Sequence, residues 1–124
     1  MVALTPAQQT LATAMTEAEF EDAIIDLATR LGWRIHAERP GRSEKGWRTA
    51  IKGMAGYPDL TLVRGGRLVF AELKSERGRL SEEQNAWIDA LVRVAEASKD
   101  DLMDVFVWRP TNWLNGTIEA VLRA

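Results

Sequence analysis

Between Gly56 and Lys74 the chain reads G-Y-P-D-L-T-L-V-R-G-G-R-L-V-F-A-E-L-K, two apolar runs parted by Arg64-Gly65-Gly66-Arg67. Glycine accepts the positive φ of a tight hairpin turn, so this pattern predicts two short antiparallel strands. With the turn centred on Gly65-Gly66, paired residue numbers sum to 131. Val63 then faces Leu68, Leu62 faces Val69, Thr61 faces Phe70, Leu60 faces Ala71 and Asp59 faces Glu72. Residues opposed in this way carry their Cβ atoms roughly 4.5–5.5 Å apart on one face of the sheet. Side chains alternate with period two, so Lys74 shares a face with Glu72. The other face, Leu60, Leu62, Val69, Ala71 and Leu73, is wholly apolar and must meet a core.

Two opposed carboxylates repel and weaken a strand pair. Two arrangements remove the conflict. A hard divalent cation such as Mg²⁺ takes one or two carboxylates together with phosphate and water. Alternatively, Lys74 neutralises both acids and the cluster is a salt-bridged hairpin. The hairpin alone leaves both open. There is no cysteine, which excludes thiolate zinc sites, disulfides and thiol nucleophiles. The single histidine, His36, excludes a metal site built on several histidines. It sits in an expected strand, Trp33–Ala37, where a structural role outweighs one as base or phosphate contact.

The 124 residues are expected to form an N-terminal arm or short helix over 1–15 and one domain over 16–124. Net charge is −2, so no overall basicity advertises a polyanion partner. Its distribution is uneven. Residues 1–26 hold five acids and no Lys or Arg, whereas residues 27–54 hold seven basic residues against two acids, a local +5. Residues 38–57 read as a long glycine-punctuated connection carrying Arg39, Arg42, Lys45, Trp47, Arg48 and Lys52. Cations interleaved with an aromatic suit phosphate contacts with base stacking. Trp47 could equally pin the connection to the body of the protein. The N-terminus has no signal-peptide pattern and no apolar run approaches a membrane span, so a cytoplasmic chain without membrane partners is expected.

Helix starts are well marked. Thr5-Pro6-Ala7-Gln8 and Thr16-Glu17-Ala18-Glu19 are capping patterns, and the second leads an apolar stripe of Phe20, Ile24, Leu27 and Leu31 stopped by Gly32. Glu17 extends that stripe, and Glu21 flanks it one turn later. An acid in a first turn is also welcome to the helix dipole. Ser81-Glu82-Glu83-Gln84 starts a third helix with Trp87, Ile88, Leu91, Val94 and Ala95 as its expected buried stripe. Gln84 completes the capping box with Ser81, yet it also points along the stripe. Ser98–Asp101 reads as linker, Asp104–Trp108 as a strand ended by Arg109-Pro110, and Thr117–Leu122 as a short helix packing Ile118, Val121 and Leu122.

Three segments in this order, Gly56-Tyr57-Pro58-Asp59-Leu60, Ala71-Glu72-Leu73-Lys74-Ser75 and Gly78-Arg79-Leu80-Ser81-Glu82-Glu83-Gln84 with Trp87, resemble the VRR-NUC branch of the PD-(D/E)XK nucleases. The similarity runs from about Thr16 to Trp113, and the chain looks like the small stand-alone forms of phages and bacteria. It implies an α/β fold with a restriction-endonuclease-like core, a mixed sheet around the central hairpin flanked by helices. It also implies metal-dependent hydrolysis of DNA phosphodiesters, with Mg²⁺ or Mn²⁺ the only cofactor. Asp59, Glu72 and the backbone carbonyl of Leu73 would be ligands, and Glu17 would bind metal or its water, with Glu21 as substitute. Lys74 would orient the attacking water, and Gln84 would steady Lys74 or the phosphate. The implied substrate is branched DNA such as a Holliday junction, cut by a homodimer. A nicking or restriction-type nuclease, or a non-catalytic DNA-binding module, is the alternative. Two features depart from the family pattern. Val94–Met103 is longer than the usual tight connection, and the acidic first third requires DNA to approach from the Arg39–Lys52 side.

Overall fold

The capping signals mark where three helices begin. In the computed structural model, which describes residues 3–38, 41–43, 46–48 and 51–124, Thr5, Thr16 and Ser81 each accept from the backbone N–H three residues on. Gln8, Glu19 and Gln84 answer from their side chains. The helices are α1 (Pro6–Ala14), α2 (Glu17–Arg30) and α3 (Glu82–Ala97). The strands are β1 (Arg34–Ala37), β2 (Gly41–Ser43), β3 (Gly46–Arg48), β4 (Leu60–Arg64), β5 (Arg67–Leu73) and β6 (Met103–Trp108), followed by helices α4 (Pro110–Leu114) and α5 (Thr117–Arg123).

A four-stranded mixed sheet runs in the order β1-β4-β5-β6. The hairpin β4–β5 has the expected register, Leu60 with Ala71 through Val63 with Leu68. β1 adds antiparallel to β4, with Ile35 opposite Leu62. β6 adds parallel to β5, with Leu73 opposite Trp108. Parallel neighbours need a long crossover, and α3 supplies it.

The apolar face of the hairpin meets the core as required. Leu60, Leu62, Val69, Ala71 and Leu73 are buried together with Phe20, Ile24 and Ala28 of α2, Trp33, Trp108, and Ile118 and Leu122 of α5. Each large aliphatic side chain gains roughly 1.5–3 kcal/mol by leaving water here. The α2 stripe is therefore Phe20, Ile24 and Ala28, while Leu27 and Leu31 stay half-buried at its side. The hairpin turn is tied down on this side too. Arg64 and Arg67 lie over the Trp33 ring at 4.7 and 5.5 Å. Arg64 donates to the carbonyls of Leu31 and Ala124, and Arg67 to those of Val121 and Ala124.

Three sequence expectations change. No residue of α3 is buried, and Val94, expected in its stripe, is 57 % exposed. β6 is an edge strand, so among the described residues no further strand lies beyond it to cover that end of the helix. The 38–57 connection contains structure: β2 and β3 pair antiparallel, with Arg42 opposite Trp47. Finally, Pro110, expected only to end a strand, also begins α4, with Asn112 accepting from the Arg109 N–H at 2.8 Å. Among the described residues no helix is long and apolar enough to cross a membrane.

A candidate active site

Asp59 leads into β4 and Glu72 is the last residue but one of β5, so the hairpin register brings their carboxyl groups together. Glu72 is 2 % exposed. Asp59 Oδ2 accepts from the Leu73 N–H at 2.8 Å, which fixes it against the backbone of the neighbouring strand. Burial raises the Asp59 pKa, and the Leu73 hydrogen bond only partly opposes this. Burial, then the adjacent Asp59 charge, pushes Glu72 up to about 8. Near neutral pH the pair therefore shares a proton held mainly by Glu72.

Gln84 caps its helix as expected and also reaches the acid pair, where its partner is Glu72 rather than Lys74. Its Oε1 accepts from the Ser81 N–H at 2.9 Å, closing the capping box, and its Nε2 donates to Glu72 Oε1 at 3.0 Å. The amide can do both because α3 begins directly over the end of β5. Glu72 Oε2 is buried with no N–H donor, and the Glu72 carboxyl is hydrogen-bonded to that of Asp59 through the shared proton.

Glu17 is exposed at the start of α2, and its Oε1 accepts from the Ser75 N–H at 3.3 Å. Its charge contributes to raising Asp59. Glu17 thus stands at the rim of the cluster, at the first residue past Lys74. Lys74 is half-buried and its N–H donates to the Trp108 carbonyl at 3.0 Å. Its charge favours ionisation of both acids. Among the described residues, however, the ion pairs are those of Arg30, His36, Arg67 and Arg123, and none joins Lys74 to Asp59 or Glu72. The salt-bridged hairpin is not the arrangement adopted. Nor do three acidic or histidine side chains converge as a ready-made metal cage among the described residues.

The loop before Asp59 is docked on α3. Tyr57 places its ring edge-on to Phe70 and Trp87 at centroid distances of 6.1 and 5.1 Å, and its hydroxyl bonds Thr61 Oγ1 at 3.1 Å. Trp87 Nε1 donates to the Met54 carbonyl at 3.0 Å. Gly56, at φ 98°, lies so close to the first turn of α3 that a Cβ would meet the Glu83 carbonyl and stand 2.7 Å from Gln84 N.

Two residues carry more of the site's construction than the sequence suggests. Arg109 Nη1 donates to the carbonyls of Ser75 and Gly78, each at 2.7 Å, holding the turn that follows Lys74. Glu76 accepts from the Thr111 N–H at 3.0 Å and from its hydroxyl. An Arg between a strand and a helix-starting Pro was the only signal for the first, and it says nothing about direction.

Of the expected DNA contacts, Lys52 is exposed. Arg39 and Lys45 lie outside the described residues. Arg42, Trp47 and Arg48 belong to the β2–β3 ladder by backbone, and their side chains are also outside what is described. His36 is exposed and lies 3.6 Å from Glu38.

A family model described as VRR-NUC domain matches residues 25–99, well over half of the chain. The match contains Asp59, Glu72, Lys74 and Gln84 and leaves Glu17 and Arg109 outside it. A search of curated proteins finds no match.

Proposed function

The chain belongs to the VRR-NUC family of nucleases, and from that premise we propose that it is a metal-dependent endonuclease acting on DNA, with Asp59, Glu72, Lys74, Gln84 and Glu17 as its working residues. One observation carries this reading. A carboxyl group 2 % exposed faces a second, half-buried carboxyl across a hairpin, close enough that burial and mutual charge raise the pKa of both. Ionising both of two such facing carboxyls costs free energy, and an oxygen-ligated divalent cation would offset it. The donors fit Mg²⁺ or Mn²⁺, which are held by one or two carboxylates plus substrate and water rather than by a full protein cage. Asp59 and Glu72 would hold the ion, with the Leu73 carbonyl beside them and Glu17 reaching in from the rim. The ion supplies Lewis acidity at the phosphate and eases ionisation of water.

The remaining work falls to the chain. Lys74 orients the attacking water and helps remove its proton. The water oxygen bonds to phosphorus as the phosphorus–oxygen bond of the strand breaks, and the departing oxygen takes up a proton. Gln84 keeps the Glu72 carboxyl turned toward the site through its 3.0 Å bond. Arg109 and Glu17 hold the Lys74–Ser75 backbone from two sides. A binding module would have no use for a buried acid pair, which disfavours the non-catalytic alternative.

Branched DNA is the proposed substrate and a homodimer the proposed working form. The dimer is supported by apolar surface left on α3 and before β6, where Val94 is 57 % and Leu102 45 % exposed. Purified protein incubated with linear duplex, flap, single-stranded and four-way-junction DNA, with Mg²⁺, Mn²⁺ or EDTA, tests the reading. Cutting is expected with metal and lost in Glu72→Ala and Lys74→Ala. Activity persisting in Glu72→Ala would overturn the site, and equal cutting of duplex and junction would make the enzyme a nicking or restriction-type nuclease.

A further inference from the structure

Between α3 and the loop that leads to Asp59 lies a cleft of about 460 Å³ lined by Met54, Ala55, Glu83, Ala86, Trp87 and Ala90. We propose that it seats one unpaired nucleobase of the strand being cut, a placement that rests on the nuclease reading for the identity of the polymer. The cleft is lined by residues that adjoin, along the chain, those positioning the acid pair. Met54 and Ala55 run through Gly56 and Pro58 into Asp59, and Glu83 precedes Gln84, which bonds Glu72. Gly56 locks the two walls together by its contact with the Glu83–Gln84 backbone. A strand whose phosphate lies at Asp59 and Glu72 would then present a nearby nucleotide to the cleft.

The lining chemistry selects what part of that nucleotide enters. Met54 is 83 % exposed, an apolar side chain held in water at the mouth. The Trp87 indole N–H is already donated to the Met54 carbonyl. The occupant therefore meets aromatic, methyl and thioether surface, which suits the π-face of a base. Glu83 is the only titratable side chain in the lining. Its carboxylate repels phosphate, so the backbone stays out, and it accepts from an exocyclic amine of a base. A paired base has its amine engaged and both faces stacked, so only an unpaired one offers both to the cleft. Single-strand character next to the scissile phosphate is thus the feature this surface reads.

The test uses metal-free full-length protein, so that nothing is cut. A short single-stranded oligonucleotide carrying one 2-aminopurine is titrated with the wild type, Ala90→Phe and Glu83→Gln. Ala90 is exposed on α3, and phenylalanine there fills the cleft without entering the core. Wild type is expected to quench the 2-aminopurine as it stacks. Ala90→Phe should weaken binding about tenfold, since stacking on an aromatic is worth that much per base. Glu83→Gln should shrink a preference for cytosine over thymine oligonucleotides while leaving quenching in place. Absence of quenching by the wild type, or equal quenching by Ala90→Phe, overturns the proposal. So does an Ala90→Phe variant that loses only self-association, which would assign the cleft to a second copy of the chain. Cleft-dependent quenching by a protein that cuts no DNA would sink the nuclease reading and leave the cleft standing. Metal-dependent cutting without quenching would do the reverse.

Discussion

Glu72 shows how one residue ties fold stability to the proposed chemistry. Native Glu72 keeps its proton up to about pH 8, whereas the unfolded side chain releases it near 4.5. Between those values the unfolded state binds fewer protons, so metal-free protein loses stability as pH rises, fully stable in this respect below the lower value. Glu72→Gln keeps the volume and removes the titration. In EDTA its melting temperature should vary little between pH 5 and 8.5, while that of the wild type falls. The gap at the alkaline end should be on the order of 1–3 kcal/mol. Mg²⁺ at pH 8.5 should restore the wild type by mass action and leave Glu72→Gln unmoved. The variant should therefore be both inactive and, without metal, more stable. A wild type whose melting temperature rises from pH 5 to 8.5 in EDTA would contradict the buried-acid account.

At the scale of elements, the site depends on where the first turn of α3 and the turn after Lys74 are held. Gly56→Ala drives a methyl into the Glu83–Gln84 backbone and strains φ 98°. A loss of about 1–3 kcal/mol is expected, with activity falling further because Gln84 is carried away from Glu72. Gly65 separates the two effects. It also has positive φ, 56°, but no atom within 4 Å of an added Cβ, so Gly65→Ala should cost about 1 kcal/mol and keep activity. Denaturant melts beside cleavage assays distinguish the pair. Arg109→Lys exchanges a planar guanidinium whose Nη1 donates to both the Ser75 and Gly78 carbonyls for a shorter, freely rotating ammonium. We expect kcat to drop about 10- to 100-fold with KM nearly unchanged, because only the placement of Lys74 is disturbed. What was legible in sequence follows the same division. The hairpin register was readable because a Gly-Gly turn fixes every pair by arithmetic. The three capping boxes were readable because donors and acceptors lie three residues apart. Val94 was misread because helical spacing gives a stripe but not how far a four-stranded sheet extends beneath it. β2 and β3 escaped because three-residue strands among Gly, Ser and Arg carry no alternation. Arg109 escaped because its partners lie 31 and 34 residues away.

On the scale of the whole molecule, a nuclease with net charge −2 must solve an approach problem, since both its surface and its substrate are anionic. The charges are segregated along the chain. Glu17, Glu19, Glu21, Asp22 and Asp26 are confined to α2, while the basic surplus falls between β1 and the docked loop at Tyr57. On the proposed reading, DNA approaching Asp59 and Glu72 would be repelled from the α2 side and drawn toward the β2–β3 side, orientation and attraction then coming from one asymmetry. Arg42 and Arg48 lie on the two paired strands of that small sheet, where a ladder holds their backbones in place. Each phosphate neutralised by such a residue releases counterions, so the salt dependence of binding counts the contacts. Binding of a four-way junction by Glu72→Gln, which leaves the DNA intact, is to be followed by anisotropy from about 50 to 200 mM salt. Adding Arg42→Ala and Arg48→Ala should weaken binding at every concentration and flatten the logarithmic slope by about 2. The loss should be nearly the same for duplex and junction, since phosphate contacts carry no shape preference of their own. An unchanged slope would move the DNA-binding surface away from β2–β3, and a loss confined to the junction would make these arginines readers of branch geometry.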